Sequence, residues 1–342
     1  AKKESIKITV EEKSINGINY IKKEIKGNNL IFYLETKKSD DANRIIKKDI
    51  LGIGIYIDNG KIIYIKLENK DDILKLKPIF EDENINKIGY NIKEDYVLLK
   101  EYEISLNGIK YDAEVAAYVI NPTNIKHNIK EISAQYLDID LDDLIPKKEE
   151  MQLNMFESIK ELSNKDEVAA YVYALNSLYN ITIEKMKEEK SEELFNNIEM
   201  PLVKVLGEMQ YNGMLVKKEE LESFGKELKE RLNTITKEIY KLAGEEFNVN
   251  STQQLGKILF EKLKLTEPKK NKKGYATDVE TLDGLKEEHP IIEKILEYRG
   301  LVKLSSTYID GLIEYINPED SRIHAVFNQT ITATGRISCT EP

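Results

Sequence analysis

Ile50-Leu51-Gly52-Ile53-Gly54-Ile55-Tyr56-Ile57, Asp58-Asn59-Gly60, then Lys61-Ile62-Ile63-Tyr64-Ile65-Lys66-Leu67 is the most legible stretch of this chain. Two β-branched runs joined by Asn-Gly spell a hairpin, because both turn residues must tolerate positive φ. Working outward, Leu30-Ile31-Phe32-Tyr33-Leu34 is a short apolar run suited to a buried strand. Lys87 to Tyr90 reads as another strand, with a helix after it to about Tyr102. Ile109 to Tyr111 precedes a helix over Asp112 to Ile120. Strands first and strand–helix alternation later predict a mixed α/β domain. From His127 to Lys190 the pattern is helical, broken near Pro146, whereas residues 1–28 are polar and weakly patterned.

A boundary is expected near residues 191–199, beyond which strand signals vanish for a long stretch. Asn212-Gly213 reads as a turn between helices. Leu221, Phe224, Leu228, Leu232, Ile235, Ile239 and Leu242 then recur at steps of three and four, one apolar packing stripe on a long helix ended by Gly244. Asn250-Ser251 caps a second helix carrying Leu255, Ile258, Leu259 and Leu263. Thr277-Asp278-Val279-Glu280 reads as a capping box opening a third, and Pro290 opens a fourth that continues to about Ile316.

At 342 residues the chain is long for one domain and comfortable for two or three. No apolar stretch approaches bilayer length and no signal peptide opens the chain. The single Cys339 excludes an internal disulfide and a Cys-based zinc site, and His127, His289 and His324 are too few for a His-rich metal site. This fits a reducing cytoplasm. A net charge of −10 excludes a uniformly basic nucleic-acid binder but leaves room for a local basic stripe. One such stripe runs from Lys262 to Tyr275, with six Lys against the single Glu267. Lys269, Lys270, Lys272 and Lys273 flank its glycine on an expected loop. A charge run in a loop is usually just solvated.

Phe327-Asn328-Gln329-Thr330-Ile331-Thr332-Ala333-Thr334-Gly335-Arg336-Ile337-Ser338-Cys339-Thr340-Glu341-Pro342 closely resembles the segment that enters the palm of family A DNA polymerases, the DNA polymerase I type. Arg299-Gly300-Leu301-Val302-Lys303-Leu304-Ser305-Ser306-Thr307-Tyr308-Ile309 is similar to the thumb helix of that family. Phe247 to Ser251 and Lys269 to Tyr275 are similar to its thumb loops, and Asn91 to Asp95 and Gly108 to Asp112 to parts of its proofreading-exonuclease-like domain. The resemblance implies an α/β, then mainly α, chain. Residues 1–190 would be an RNase H-like 3′–5′ exonuclease-type domain of mixed sheet and helices. Residues 191–316 would be the thumb with its preceding helices, and residues 317–342 the first palm strands.

The resemblance also implies sites. The family's proofreading centre holds two metals about 3.5–4 Å apart on four carboxylates. Here Tyr33 stands before Glu35 where an Asp-x-Glu is expected, Asn91 and Asp95 keep the second motif, and Leu175, four after Tyr171, replaces the last Asp. Two ligands gone leave cation repulsion uncompensated, so an inactive, vestigial exonuclease kept as scaffold is expected, with no metal bound. Asp278-Val279-Glu280-Thr281 matches Asp-x-Glu-Thr by letter, but its place at a helix start explains it as a cap. DNA contacts are implied for Ser251, Lys269, Lys270, Lys272, Lys273, Arg299, Lys303, Ser306, Thr307 and, at the minor groove by the primer end, Arg336. Without the resemblance, Ser251 is a helix cap, Arg299 and Lys303 are partners for Glu293 or Glu297, and Arg336 belongs to a structural salt bridge.

The implied parent reaction is addition of a deoxynucleotide to a primer 3′ end on a DNA template, in replication and repair, by a monomer. It takes primer–template DNA and deoxynucleoside triphosphates, with two Mg²⁺ on palm aspartates. The family's Asp-Tyr-Ser-x-x-Glu and His-Asp-Glu motifs are not among these residues, so no catalytic residue is assigned and the 342 residues alone are expected not to polymerise. Two other readings stay open: an active exonuclease drawing ligands from Asp40 or Asp41, and a non-catalytic DNA-binding or scaffold protein.

Overall fold

The computed structural model describes residues 8–25, 28–124, 127–146, 164–266 and 275–341. Packing divides the chain into two compact units, Ala1–Gly213 with His324–Glu341, and Met214–Ile323.

The first unit is built on a six-stranded sheet in the order β1-β4-β3-β2-β5-β6. Its strands are β1 (Thr9–Glu12), β2 (Asn29–Lys38), β3 (Lys48–Asp58), β4 (Lys61–Lys66), β5 (Asn86–Gly89) and β6 (Ile109–Asp112). β2, β3 and β4 are antiparallel neighbours, while β1, β5 and β6 join in parallel. The β3–β4 turn is the one expected, with Asn59 and Gly60 at φ of 47° and 78°. The helices of this unit are α1 (Ile18–Glu24), α2 (Lys70–Leu74), α3 (Lys77–Phe80), α4 (Ile92–Glu101), α5 (Ala113–Ile120), α6 (Ile129–Leu137), α7 (Lys165–Glu189), α8 (Glu192–Leu194) and α9 (Met200–Asn212).

One core runs from Phe32, Ile53 and Ile88 of the sheet to Leu98, Ala116, Leu178 and Val203 of α4, α5, α7 and α9. α7 can lie close to the sheet because β3 carries glycine. A Cβ on Gly54 would sit 2.5 Å from Val168 Cγ1, closer than real carbons approach. Beyond residue 190, α9 packs with this unit through α4. Its Gly207 leaves space for the Tyr96 ring, and Lys100 Nζ meets Glu208 at 2.5 and 2.6 Å while standing 4.6 Å over the Tyr211 ring. The unit therefore extends past the boundary expected near 191–199.

The second unit contains β7 (Met214–Leu215), α10 (Lys218–Ala243), α11 (Thr252–Gly256), α12 (Val279–Asp283), α13 (Ile291–Lys303), α14 (Gly311–Glu314) and β8 (Arg322–Ile323). β7 and β8 pair antiparallel, a two-residue ladder after Gly213 where only a turn between helices was expected. It is too short to carry an alternating pattern. Its core joins Ile235, Ile239, Val249, Leu255, Phe260, Leu282, Ile291 and Ile295. The apolar stripe of α10 is buried at Leu228, Ile235 and Ile239, but Phe224 at its start is exposed. π-helical turns continue α11 over Lys257–Lys262 and α13 over Leu304–Asp310. The cap of α12 is Asp278, whose carboxylate accepts from the Thr281 amide at 2.9 Å. The cap thus lies one residue after the expected Thr277, and Thr281 rather than Glu280 stands three residues on.

Back in the first unit, β9 (Val326–Asn328) and β10 (Ser338–Thr340) form an antiparallel hairpin.

Candidate functional site

Strand β2 presents Tyr33 and Glu35 on one face, in register with Gly54 and Gly52 of β3. The bare glycine at 52 lets the Tyr64 ring lie against the strand, and the Tyr64 hydroxyl donates to Glu35 Oε2. The Asn164 amide, at the start of α7, donates to Glu35 Oε1 at 3.4 Å. Glu35 is 7% exposed, so this carboxylate is committed to partners inside the fold.

Tyr33 meets Tyr171 of α7 edge to face, with ring centroids 5.0 Å apart, and the Tyr171 hydroxyl donates to Glu167 Oε1 at 2.5 Å. Burial, then the charges of Asp95, Glu167 and Glu94, push the Tyr33 phenol well above its ordinary range. Leu175 points into the core and is fully buried. Beside Tyr33 lies a cavity of about 70 Å³ lined also by Lys48, Tyr90, Asn91, Glu94 and Asp95. The Lys48 ammonium pairs with Glu94 Oε1 in it. Asp95 is held well above the usual carboxylate range by burial first, then by Glu94 and Asp112, against the pull of Lys48. The structure therefore brings Tyr33, Tyr171 and Asp95 together and turns Glu35 toward Tyr64. Asp40 and Asp41 lie in the exposed loop after β2, where Asp41 accepts from the Asn43 amide at 2.9 Å.

Sequence reading passed over Asp112. It is 2% exposed and caps two helices at once. Its oxygens accept from the amides of Asn91 at 3.1 Å and Ile92 at 2.7 Å, and from Glu114 at 2.9 Å. This fixes the left-handed Asn91, at φ 50°, and so the start of α4. Lys48 was also passed over. Asp112 has a local signal only as the cap of α5; its hold on α4, like the pairing of Lys48 with Glu94, joins residues far apart in sequence.

In the hairpin, Gly335 has φ +73° and no atom within 4 Å of a built Cβ. Arg336 follows it with an exposed side chain that has no ion-pair partner among the described residues, and its carbonyl accepts from the Thr332 hydroxyl. In the second unit, Ser251 Oγ accepts from the Gln254 amide at 3.4 Å and caps α11. Arg299 donates to the Thr277 carbonyl and to its hydroxyl at 3.3 Å, while Glu297 is paired with Arg231 at 2.6 Å. Lys303, Ser306 and Thr307 are exposed, the last two on the π-helical turn, with Ser306 Oγ donating to the Val302 carbonyl at 2.9 Å. π turns inside helices are frequent at functional sites. Lys269, Lys270, Lys272 and Lys273 lie outside the described residues.

A mixed sheet with three antiparallel and flanking parallel strands, crossed by α7, defines a ribonuclease H-like unit, here followed by a helical unit. Residues 35–145 match the family described as DNA polymerase I, ribonuclease H-like domain, and residues 218–342 match DNA polymerase family A. DNA polymerase I of Bacillus caldotenax is 35% identical over 301 residues, covering 86% of this chain and 33% of that protein. The Borreliella burgdorferi protein of the same name is 38% identical over 304 residues, with the same coverage. The POL domain of Pol1 from M. smegmatis, solved in complex with DNA primer-template and dNTP, is similar with a TM-score of 0.76 at 25% identity. That match covers 95% of this chain and 53% of that one. The chain belongs to DNA polymerase family A. It spans about a third of the length of the curated relatives it matches. Among the described residues no helix is long and apolar enough to cross a membrane.

Proposed function

We propose that the protein carrying this chain extends a primer 3′ end on a DNA template, that this portion holds the duplex, and that its exonuclease-like domain does not cut. The observation that carries the reading is the β9–β10 hairpin, which presents Gly335 and an exposed Arg336 with no ion-pair partner among the described residues, within a segment of the polymerase family. A glycine beside an arginine admits a nucleic-acid backbone closely, and the minor groove offers acceptors at every base pair. The similar M. smegmatis structure holds primer-template and dNTP, which supports the same partners here. Lys303, Ser306 and Thr307 offer further exposed phosphate contacts, joined by Ser251 and by Lys269, Lys270, Lys272 and Lys273. Arg299 serves through its hold on Thr277, which leaves only part of its guanidinium for DNA.

The residues around Tyr33 do not fit a two-metal centre. A phenol and a leucine stand at two ligand positions, Glu35 is committed to Tyr64, and the Lys48 ammonium already supplies a cation beside Glu94 and Asp95. Burial, which favours the protonated form of Asp95, further weakens it as a ligand. Mg²⁺ is the metal of the polymerase reaction in this reading, held by palm carboxylates of the complete protein, which acts as a monomer in the cytoplasm.

Duplex binding by this chain tests the reading. It should be indifferent to sequence and weaken as salt rises, because phosphate contacts release counterions. Lys303→Ala should lower the magnitude of the log–log salt slope by about 1. Lys61→Ala, whose ammonium pairs with Glu11 at 3.1 Å, should leave it unchanged. A slope untouched by Lys303→Ala would remove the proposed DNA path, and primer extension by the full-length gene product that Arg336→Ala does not slow would remove Arg336 from the primer end.

A further inference from the structure

The segment that carries Arg336 is fastened at several points to the exonuclease-like unit. His324 Nδ1 lies 2.9 Å from the Gln210 carbonyl of α9. Gln329 donates to the Glu199 carbonyl at 2.9 Å and to its carboxylate. Thr330 Oγ1 donates to Glu114 Oε1 at 2.6 Å, and the Tyr118 hydroxyl donates to the Thr332 carbonyl at 2.7 Å. Glu114 and Tyr118 are four apart on α5, hence on one face, and together they grip residues 330 and 332. Thr332 in turn donates to the Arg336 carbonyl and closes the turn at the hairpin tip. Gln329 and Thr330 are 7% and 9% exposed, so these bonds are shielded from water.

From this geometry we infer that Glu114 and Tyr118 of α5 are positioning residues for the primer-end loop of the polymerase. The exonuclease-like domain then contributes to synthesis by holding Thr330 and Thr332, and through Thr332 the backbone of Arg336. This rests on the proposed function, since it assigns a task to the loop that carries Arg336. Nothing in it needs metal or nuclease chemistry. A loop held by one fewer bond keeps its residues but loses orientation, and orientation weighs more on the rate of extension than on affinity for duplex.

The test uses Thr330→Val, which keeps shape and removes the hydroxyl, Thr330→Ser, which restores it, and Tyr118→Phe. In the full-length gene product, single-turnover primer extension should slow about tenfold in Thr330→Val and Tyr118→Phe, with duplex affinity within about twofold. Thr330→Ser should return most of the rate. In this chain alone, amide exchange of residues 331–336 should quicken in the same two variants and be normal in Thr330→Ser. Rate and affinity falling together, a silent Thr330→Val and Tyr118→Phe pair, or a serine variant no better than valine would overturn the assignment. If the parent protein extends no primer, the functional reading fails instead, and the exchange measurement still decides whether α5 orders the loop: unchanged exchange rejects it.

Discussion

Glu114→Gln should stabilise the first unit above pH 7 and leave it nearly unchanged near pH 4. The Glu114 carboxyl is pushed up from an ordinary 4.5 to about 7, by burial first and then by the neighbouring Asp112 charge, with the Thr330 hydroxyl and Lys93 opposing. Between those two values the folded chain keeps a proton that the unfolded chain has lost. Stability must therefore fall as pH rises from about 4.5 to about 7 and then level off. A displacement of that size corresponds to about 3 kcal/mol at 1.36 kcal/mol per pH unit, and partial exposure of the side chain brings this to about 2 kcal/mol. Glutamine keeps an acceptor for the Thr330 hydroxyl and carries no charge, so the variant lacks the loss. Thermal unfolding of both proteins at pH 4, 5, 6, 7 and 8 should show nearly matching Tm values at pH 4. At pH 8 the variant should lead by about 4–8 °C. A difference that does not grow with pH, or a variant less stable at pH 8, would refute the assigned burial and charge environment.

His127 is buried, and burial depresses its pKa, so the unfolded chain binds the proton more readily. Stability from this site should be lost as pH falls below about 6.5, and His127→Phe should flatten that limb of a urea-unfolding series. Gly54→Ala should cost about 1–3 kcal/mol, measured by the same unfolding, because its Cβ would meet Val168 Cγ1 at 2.5 Å. Tyr64→Phe should cost about 1–3 kcal/mol by leaving the buried Glu35 oxygen without its donor, whereas Tyr64→Phe combined with Glu35→Gln should recover part of the loss.

Local chemistry made much of the fold legible. Asn59-Gly60 dictated its turn through positive φ, Gly244 ended α10 as a left-handed cap, and Ser251 capped α11 as expected. Departures arose where distant partners decide. The helix at residues 200–212 reads only as a helix, and its attachment to the first unit comes from Gly207 under Tyr96 and Glu208 with Lys100. Thr277 reads as a cap but is engaged by Arg299 from another helix, leaving the cap to Asp278. The exonuclease-like site was half legible. The proposal that it does not cut starts from Tyr33 and Leu175 as residue types read from the sequence, while the bond from Tyr64 to Glu35 and the ammonium of Lys48 beside Glu94 appear only once strands 2, 3 and 4 are side by side. Lys269–Lys273 lie outside the described residues, so their proposed part in DNA binding rests on charge and resemblance.

The most direct measurement gives the full-length gene product an internally labelled primer on a DNA template with Mg²⁺, once with and once without deoxynucleoside triphosphates. A template-directed polymerase whose exonuclease-like domain does not cut should lengthen the primer in the first case and leave its 3′ end unchanged in the second. No lengthening with nucleotides would contradict the assigned function. Shortening without them that disappears in Glu35→Ala or Asp95→Ala would contradict the assignment of Tyr33, Lys48 and Leu175 to a site that holds no metal pair.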